Sequence, residues 1–92
     1  MKISIRAFAR FKDIFGEKNE IEVTEGMFLA DILKEFAAGY QDGLEALFLS
    51  DGDLLGHIFV MVNRERIQPD EIRTAVVADG DEIVIYPPVS GG

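Results

Sequence analysis

The chain contains no cysteine. It can therefore form no disulfide and no thiolate metal site. Histidine is nearly as scarce, with His57 the only one. Metal binding or acid–base work at His57 would need partner groups, and none is spaced to supply them. His57 reads as a strand-entry residue. No apolar run approaches the length needed to span a bilayer. No glycine-rich loop precedes a helical pattern, so no phosphate cradle is expected. The opening Met1-Lys2-Ile3-Ser4-Ile5 lacks the charged-then-apolar order of a signal peptide. Cations are in deficit: 9 Lys and Arg stand against 17 Asp and Glu, a net charge of −8. Nucleic-acid phosphates would repel such a surface. The charge suits solubility and steering toward a basic partner, and equally suits a salty cytoplasm. A cytoplasmic protein with no nucleic-acid, membrane or metal partner is the expectation.

What remains fits one small domain. Ninety-two residues, 48% of them hydrophobic, can hold one core and not two. Residues 2–10 alternate, with Ile3, Ile5, Ala7 and Ala9 on one side and Lys2, Ser4, Arg6, Phe8 and Arg10 on the other. That pattern predicts a half-buried strand. Gly16 to Asn19 reads as a turn, and Glu20 to Val23 as a second strand forming a hairpin with the first. After Glu25-Gly26 the period changes. Leu29, Ile32, Leu33 and Phe36 line one helix face, with Gly39 as a terminator and Phe28 where a Ser or Thr cap would be expected. Leu44, Leu47 and Phe48 suggest one more short helical turn. Ser50 to Asp53 is a loop. Asp51 and Asp53 mimic the start of a calcium loop, but Leu54, Leu55 and Gly56 follow in place of oxygen ligands. Asp42, Glu45 and the other carboxylates read as a solvated face. His57 to Asn63 reads as a central strand, Ile67 as part of an edge segment, Asp79-Gly80 as a tight turn, and Glu82 to Tyr86 as the last strand. One helix over a mixed sheet of four to five strands satisfies the two-layer rule, an α+β fold. The helix must then carry a right-handed crossover.

The chain ends Tyr86-Pro87-Pro88-Val89-Ser90-Gly91-Gly92. The expected division is a domain over residues 1–86 and a flexible reactive tail over 87–92. Two prolines stiffen the exit, and two glycines finish the chain without side chains. Glycine reaches backbone angles closed to other residues, so such an end can thread a narrow slot and present its carboxylate. A carboxylate is a poor electrophile, but joined to AMP it gains a good leaving group. The expectation is that the Gly92 carboxylate is the reactive group. An incidental frayed end is the alternative.

The order of elements, with Asp79-Gly80-Asp81-Glu82 leading into Ile83-Val84-Ile85-Tyr86-Pro87-Pro88-Val89-Ser90-Gly91-Gly92, resembles the β-grasp (ubiquitin-like) sulfur carriers of MoaD and ThiS type. These include the small subunit of molybdopterin synthase and the archaeal small ubiquitin-like modifiers. The stretch Asp51 to Ile58 resembles the modifier branch in particular. The resemblance implies that the first and last strands lie parallel at the sheet centre. It implies that an E1-like enzyme of MoeB or UbaA type, using ATP and magnesium, adenylates Gly92, and that a sulfur donor displaces AMP to leave a thiocarboxylate. Gly91 would keep the end thin, Pro88 and Val89 would set the tail's register, and Ser90 departs from the Thr or Ala often found there. As a carrier, not an enzyme alone, the protein would insert its tail into a larger, MoaE-type synthase subunit and serve molybdenum or tungsten cofactor synthesis. As a modifier it would be joined to target lysines. A non-reactive interaction domain is the third reading. No cofactor is expected on the chain itself.

Apolar residues also fall on the face expected to be polar. Phe8 lies between Arg6 and Arg10, while Val84 and Tyr86 oppose Ile83 and Ile85. Phe59 and Met61 point the same way if Ile58, Val60 and Val62 point inward. An exposed apolar cluster rimmed by arginine marks a partner surface, and the resemblance implies partner-binding aromatics at Phe8 and Tyr86. The alternative is a satellite core covered by loops or the short helix.

Overall fold

The computed structural model describes residues 1–53 and 58–87. His57 and residues 88–92 therefore lie outside the described residues. Eight elements follow in order: β1 (Lys2–Ala7), α1 (Arg10–Phe15), β2 (Lys18–Glu22), α2 (Leu29–Ala38), α3 (Gly43–Leu47), β3 (Phe59–Val62), β4 (Glu65–Ile67) and β5 (Glu82–Tyr86). The five strands form one sheet in the order β2-β1-β5-β3-β4. β1 and β5 run parallel, and every other neighbouring pair is antiparallel. This is the β-grasp arrangement, with the last strand at the centre of the sheet.

The period-two pattern decides which sheet face is buried. Ile3, Ile5 and Ala7 of β1, Val60 of β3, and Ile83 and Ile85 of β5 point into the core. α2 covers them with Leu29, Ile32, Leu33, Phe36 and Ala37. No serine or threonine caps α2. Its first donors are satisfied from a distant loop instead: Leu29 N–H donates to the Ala75 carbonyl at 2.7 Å, and Ala30 N–H to the Ile72 carbonyl at 3.0 Å. Helix N-termini leave such donors open, so the tertiary partner replaces the missing cap. Gly39 ends α2 in right-handed geometry, φ −78°. The helix thus stops where expected, without a left-handed residue.

The strand expected over residues 2–10 is too long. β1 stops at Ala7, and Ala9 turns to φ 54° before the six-residue α1. Tertiary packing overrides the alternation here. Phe11 and Phe15, four apart, both reach the core from one side of α1. Phe15 sits 5.2 Å from Phe36 and edge-on to Tyr40 at 5.1 Å. Asn19 Nδ2 donates to the Phe15 carbonyl at 2.7 Å, closing the end of α1. β1 and β2 pair antiparallel as the expected hairpin, but α1 lies in their connection, and β2 begins two residues earlier than expected, at Lys18. β3 begins at Phe59 and lies one strand in from the edge, while β4 forms that edge. No helix among the described residues is long and apolar enough to cross a membrane.

Candidate functional site

All three helices contribute buried residues to the core face of the sheet. The opposite face carries a ladder of cross-strand neighbours: Lys18, Arg6, Val84, Met61 and Arg66 succeed one another across β2, β1, β5, β3 and β4. The next row toward the tail holds Tyr86 opposite Phe59. Their rings stack at 5.2 Å. The Tyr86 hydroxyl donates to Met61 Sδ at 3.6 Å. Such side-by-side pairs are the unit of sheet stabilisation, so the sheet itself holds the rings in place.

Phe8 is 40% exposed, just past the end of β1. Its backbone N–H donates to the Ile85 carbonyl at 3.2 Å, which ties it to the last strand. Arg6 lies over the Phe8 ring at 5.2 Å, and Arg66 over Phe59 at 4.1 Å. A basin of about 610 Å³ opens among Arg6, Phe8, Met61, Arg64, Val84 and Tyr86. Glu82 and Pro87 also border it. The structure thus brings together Phe8, Met61, Val84 and Tyr86, with Phe59 stacked at the edge, and no helix among the described residues covers them. Pro87 places the start of the tail on the rim. The remaining tail positions, Pro88, Val89, Ser90, Gly91 and Gly92, lie outside the described residues.

Two cations at this site escape the sequence pattern. Arg64 occupies the two-residue turn between β3 and β4, where Asn63 and Arg64 take φ 49° and 74°. Two left-handed residues in a two-residue hairpin define a type I′ turn, which favours Asn first and Gly second. Asn63 fits, and its side chain is used twice: Nδ2 donates to Asp81 Oδ1 at 2.7 Å, and Oδ1 accepts from Glu82 N–H at 2.9 Å. Arg64 replaces the signature glycine, so the turn goes unread in sequence. Arg66 is found only through its register with Met61.

Other candidates resolve as structure. Asp51 Oδ1 accepts from Asp53 N–H at 2.9 Å, forming a side-chain turn, and Asp53 pairs with Arg73. A second concavity, about 930 Å³, lies on the helical side among Lys34, Ala38, Leu44, Phe48 and Leu49. None of the sequence-predicted site residues lines it.

Strand order and the parallel pairing of β1 with the central β5 define a β-grasp fold. Residues 5–92 match the ThiS family, and the chain belongs to it. It is 35% identical over 94 residues to Small archaeal modifier protein 3 of Haloferax volcanii, with 100% of both chains covered. It is 29% identical over 93 residues to the Molybdopterin synthase sulfur carrier subunit of Chlamydomonas reinhardtii, again with 100% of both covered. Among solved structures, SAMP1 from Haloferax volcanii has a TM-score of 0.84 at 29% identity, covering 100% of both chains.

Proposed function

We propose that this protein acts through its C-terminal Gly92, as a sulfur carrier activated by an E1-like adenylating enzyme. One observation carries the reading. The chain leaves the central strand at Tyr86, passes Pro87 on the basin rim, and ends a few residues later in Gly91-Gly92. A partner bound on the open face would therefore receive the tail at a fixed point. Holding the reacting ends together in this way converts a bimolecular step into an effectively intramolecular one.

The Gly92 carboxylate would attack the α-phosphorus of ATP and release pyrophosphate. ATP and magnesium belong to the activating enzyme. Hydrosulfide, supplied by a sulfide donor, then attacks the acyl carbon, the bond to AMP breaks, AMP departs with the electron pair, and loss of the sulfur-bound proton leaves a thiocarboxylate. Gly91 keeps the tail thin, while Pro87, Pro88, Val89 and Ser90 set its length and register. Phe8, Tyr86, Val84, Met61 and Phe59 form the docking face. The sulfur would pass to a pterin precursor inside a larger subunit of molybdopterin synthase, in agreement with the name of the Chlamydomonas relative. ATP–pyrophosphate exchange with the adenylating enzyme tests the first step. Exchange is expected with the full chain and is expected to vanish when Gly91 and Gly92 are removed.

A second reading has its own support. The Haloferax relative at 35% identity is named a modifier. In that case the activated carbonyl meets a target lysine, and proteomic digests of the host would carry this protein's terminal residues on lysine side chains.

A further inference from the structure

We propose that the open sheet face docks a protein surface whose apolar centre is ringed by carboxylates, with Arg6, Arg64 and Arg66 reading that ring. The proposal rests on the docking-face reading above and names the chemistry of the partner.

The local charge is opposite to that of the whole chain. The protein carries −8 overall and has only five arginines. Three of them, Arg6, Arg64 and Arg66, line the basin or stack on its aromatic edge. Glu82 is the one carboxylate among the basin's described lining residues. Among the described residues, the ion pairs within 4.0 Å involve the N-terminus with Glu22 and Arg73 with Asp53. The three guanidinium groups are not neutralised by either pair. Arginine presents a rigid fork of donors matched to carboxylates. Stacking on Phe8 and Phe59 holds two of these forks in place without using their N–H groups.

Arg64 adds an independent argument. Position two of a type I′ turn favours glycine, because φ must be positive. Arginine there, at φ 74°, accepts backbone strain. Arg64 lines the basin, where a glycine would leave no side chain. Strain retained at such a position points to use of the side chain. Nucleic acid would also offer anions, but the surrounding charge of −8 repels a phosphate backbone.

The probe is the adenylating enzyme of MoeB or UbaA type from the same organism, titrated calorimetrically with full-length protein, each variant checked by thermal melting. Arg64→Glu and Arg66→Glu are each expected to lower the association constant about tenfold at ~0.1 M salt. The difference should shrink at ~1 M salt, where the Debye length falls from about 10 Å to about 3 Å. Arg64→Gly should also weaken binding while its melting temperature does not fall. If Phe8→Ala weakens binding but the charge reversals are neutral or tighten it, the face docks yet the ring is not acidic, and the proposal is overturned. If none of these variants changes binding, the docking-face reading fails first. A single-stranded oligonucleotide that binds the wild type, and loses binding in the arginine variants, would reassign the cations to phosphate and also overturn it.

Discussion

Phe8 and Phe11 are three residues apart, yet the fold gives them opposite work, and replacing each by alanine should separate binding from stability. Phe11 is 0% exposed, in the core beneath α1. Its truncation removes a full ring from a packed interior, which costs about 3–5 kcal/mol. For a domain of this size that is a fall in Tm of well over 10 °C, at roughly 4–8 °C per kcal/mol. Phe8 is 40% exposed. Part of its ring area is out of water already, worth about 1–2 kcal/mol when scaled from full burial. The Arg6 contact adds about 0.5–1 kcal/mol, the range for exposed cation–π pairs. Phe8→Ala should therefore cost about 1.5–3 kcal/mol in folding, less than the Phe11 truncation. Against the adenylating enzyme the order reverses. An anchor ring buried at an interface carries about 2 kcal/mol or more, so Phe8→Ala should weaken binding by about 30-fold. Urea denaturation and calorimetric titration of both variants form the assay. If Phe8→Ala unfolds the protein as readily as Phe11→Ala does, the ring is core and the docking face is misassigned.

Gly43 should not tolerate a side chain: an added Cβ would approach the Ala37 carbonyl oxygen to 2.2 Å and Phe15 Cε1 to 3.1 Å. Overpacking of this kind costs about 1–3 kcal/mol, so Gly43→Ala should lower the urea midpoint, and an unchanged midpoint would refute the close α2–α3 approach. Asn63→Ala should cost about 1–3 kcal/mol, because it removes both side-chain bonds to Asp81 and Glu82 along with the residue best suited to φ 49°; Tm against wild type checks this. Deleting Gly91 and Gly92 should leave Tm within about 2 °C, the change expected when no buried contact is lost, while pyrophosphate exchange disappears. A large drop in Tm would mean that the end packs on the domain.

Much of this architecture could be read from residue order because each long element obeys one period. α2 shows its apolar face at Leu29, Ile32, Leu33 and Phe36, and β5 alternates Ile83 and Ile85 inward with Val84 and Tyr86 outward. The apolar cluster on the open face was legible for the same reason: Val84 and Tyr86 stand on the outward phase of β5, and Phe8 continues the outward phase of β1 one residue past its end. α1 was not legible. Six residues give less than two turns of periodicity, and Arg10 happens to continue the alternation of β1. The break occurs at Ala9, whose φ of 54° carries no glycine signal. The β3–β4 turn was hidden by the same kind of exception, with Arg64 where glycine is favoured. Arg64 and Arg66 could not be assigned to the site from order alone, because only the register of β3 with β4 and β5 carries them to Phe59, Met61 and Val84. Net charge does not report this face either: the chain carries −8 overall, while Arg6 and Arg64 line the basin beside the single carboxylate of Glu82 among its described lining residues.

The central claim is that Gly92 is the group on which activation acts. Its most direct test is the mass of the C-terminal peptide after incubation with the adenylating enzyme, ATP, magnesium and a sulfide donor. The expected product is a peptide ending at Gly92 that is heavier by the difference between one sulfur and one oxygen, formed only when ATP is present. A peptide that keeps its ordinary carboxylate, under conditions where the enzyme activates another carrier, would contradict it.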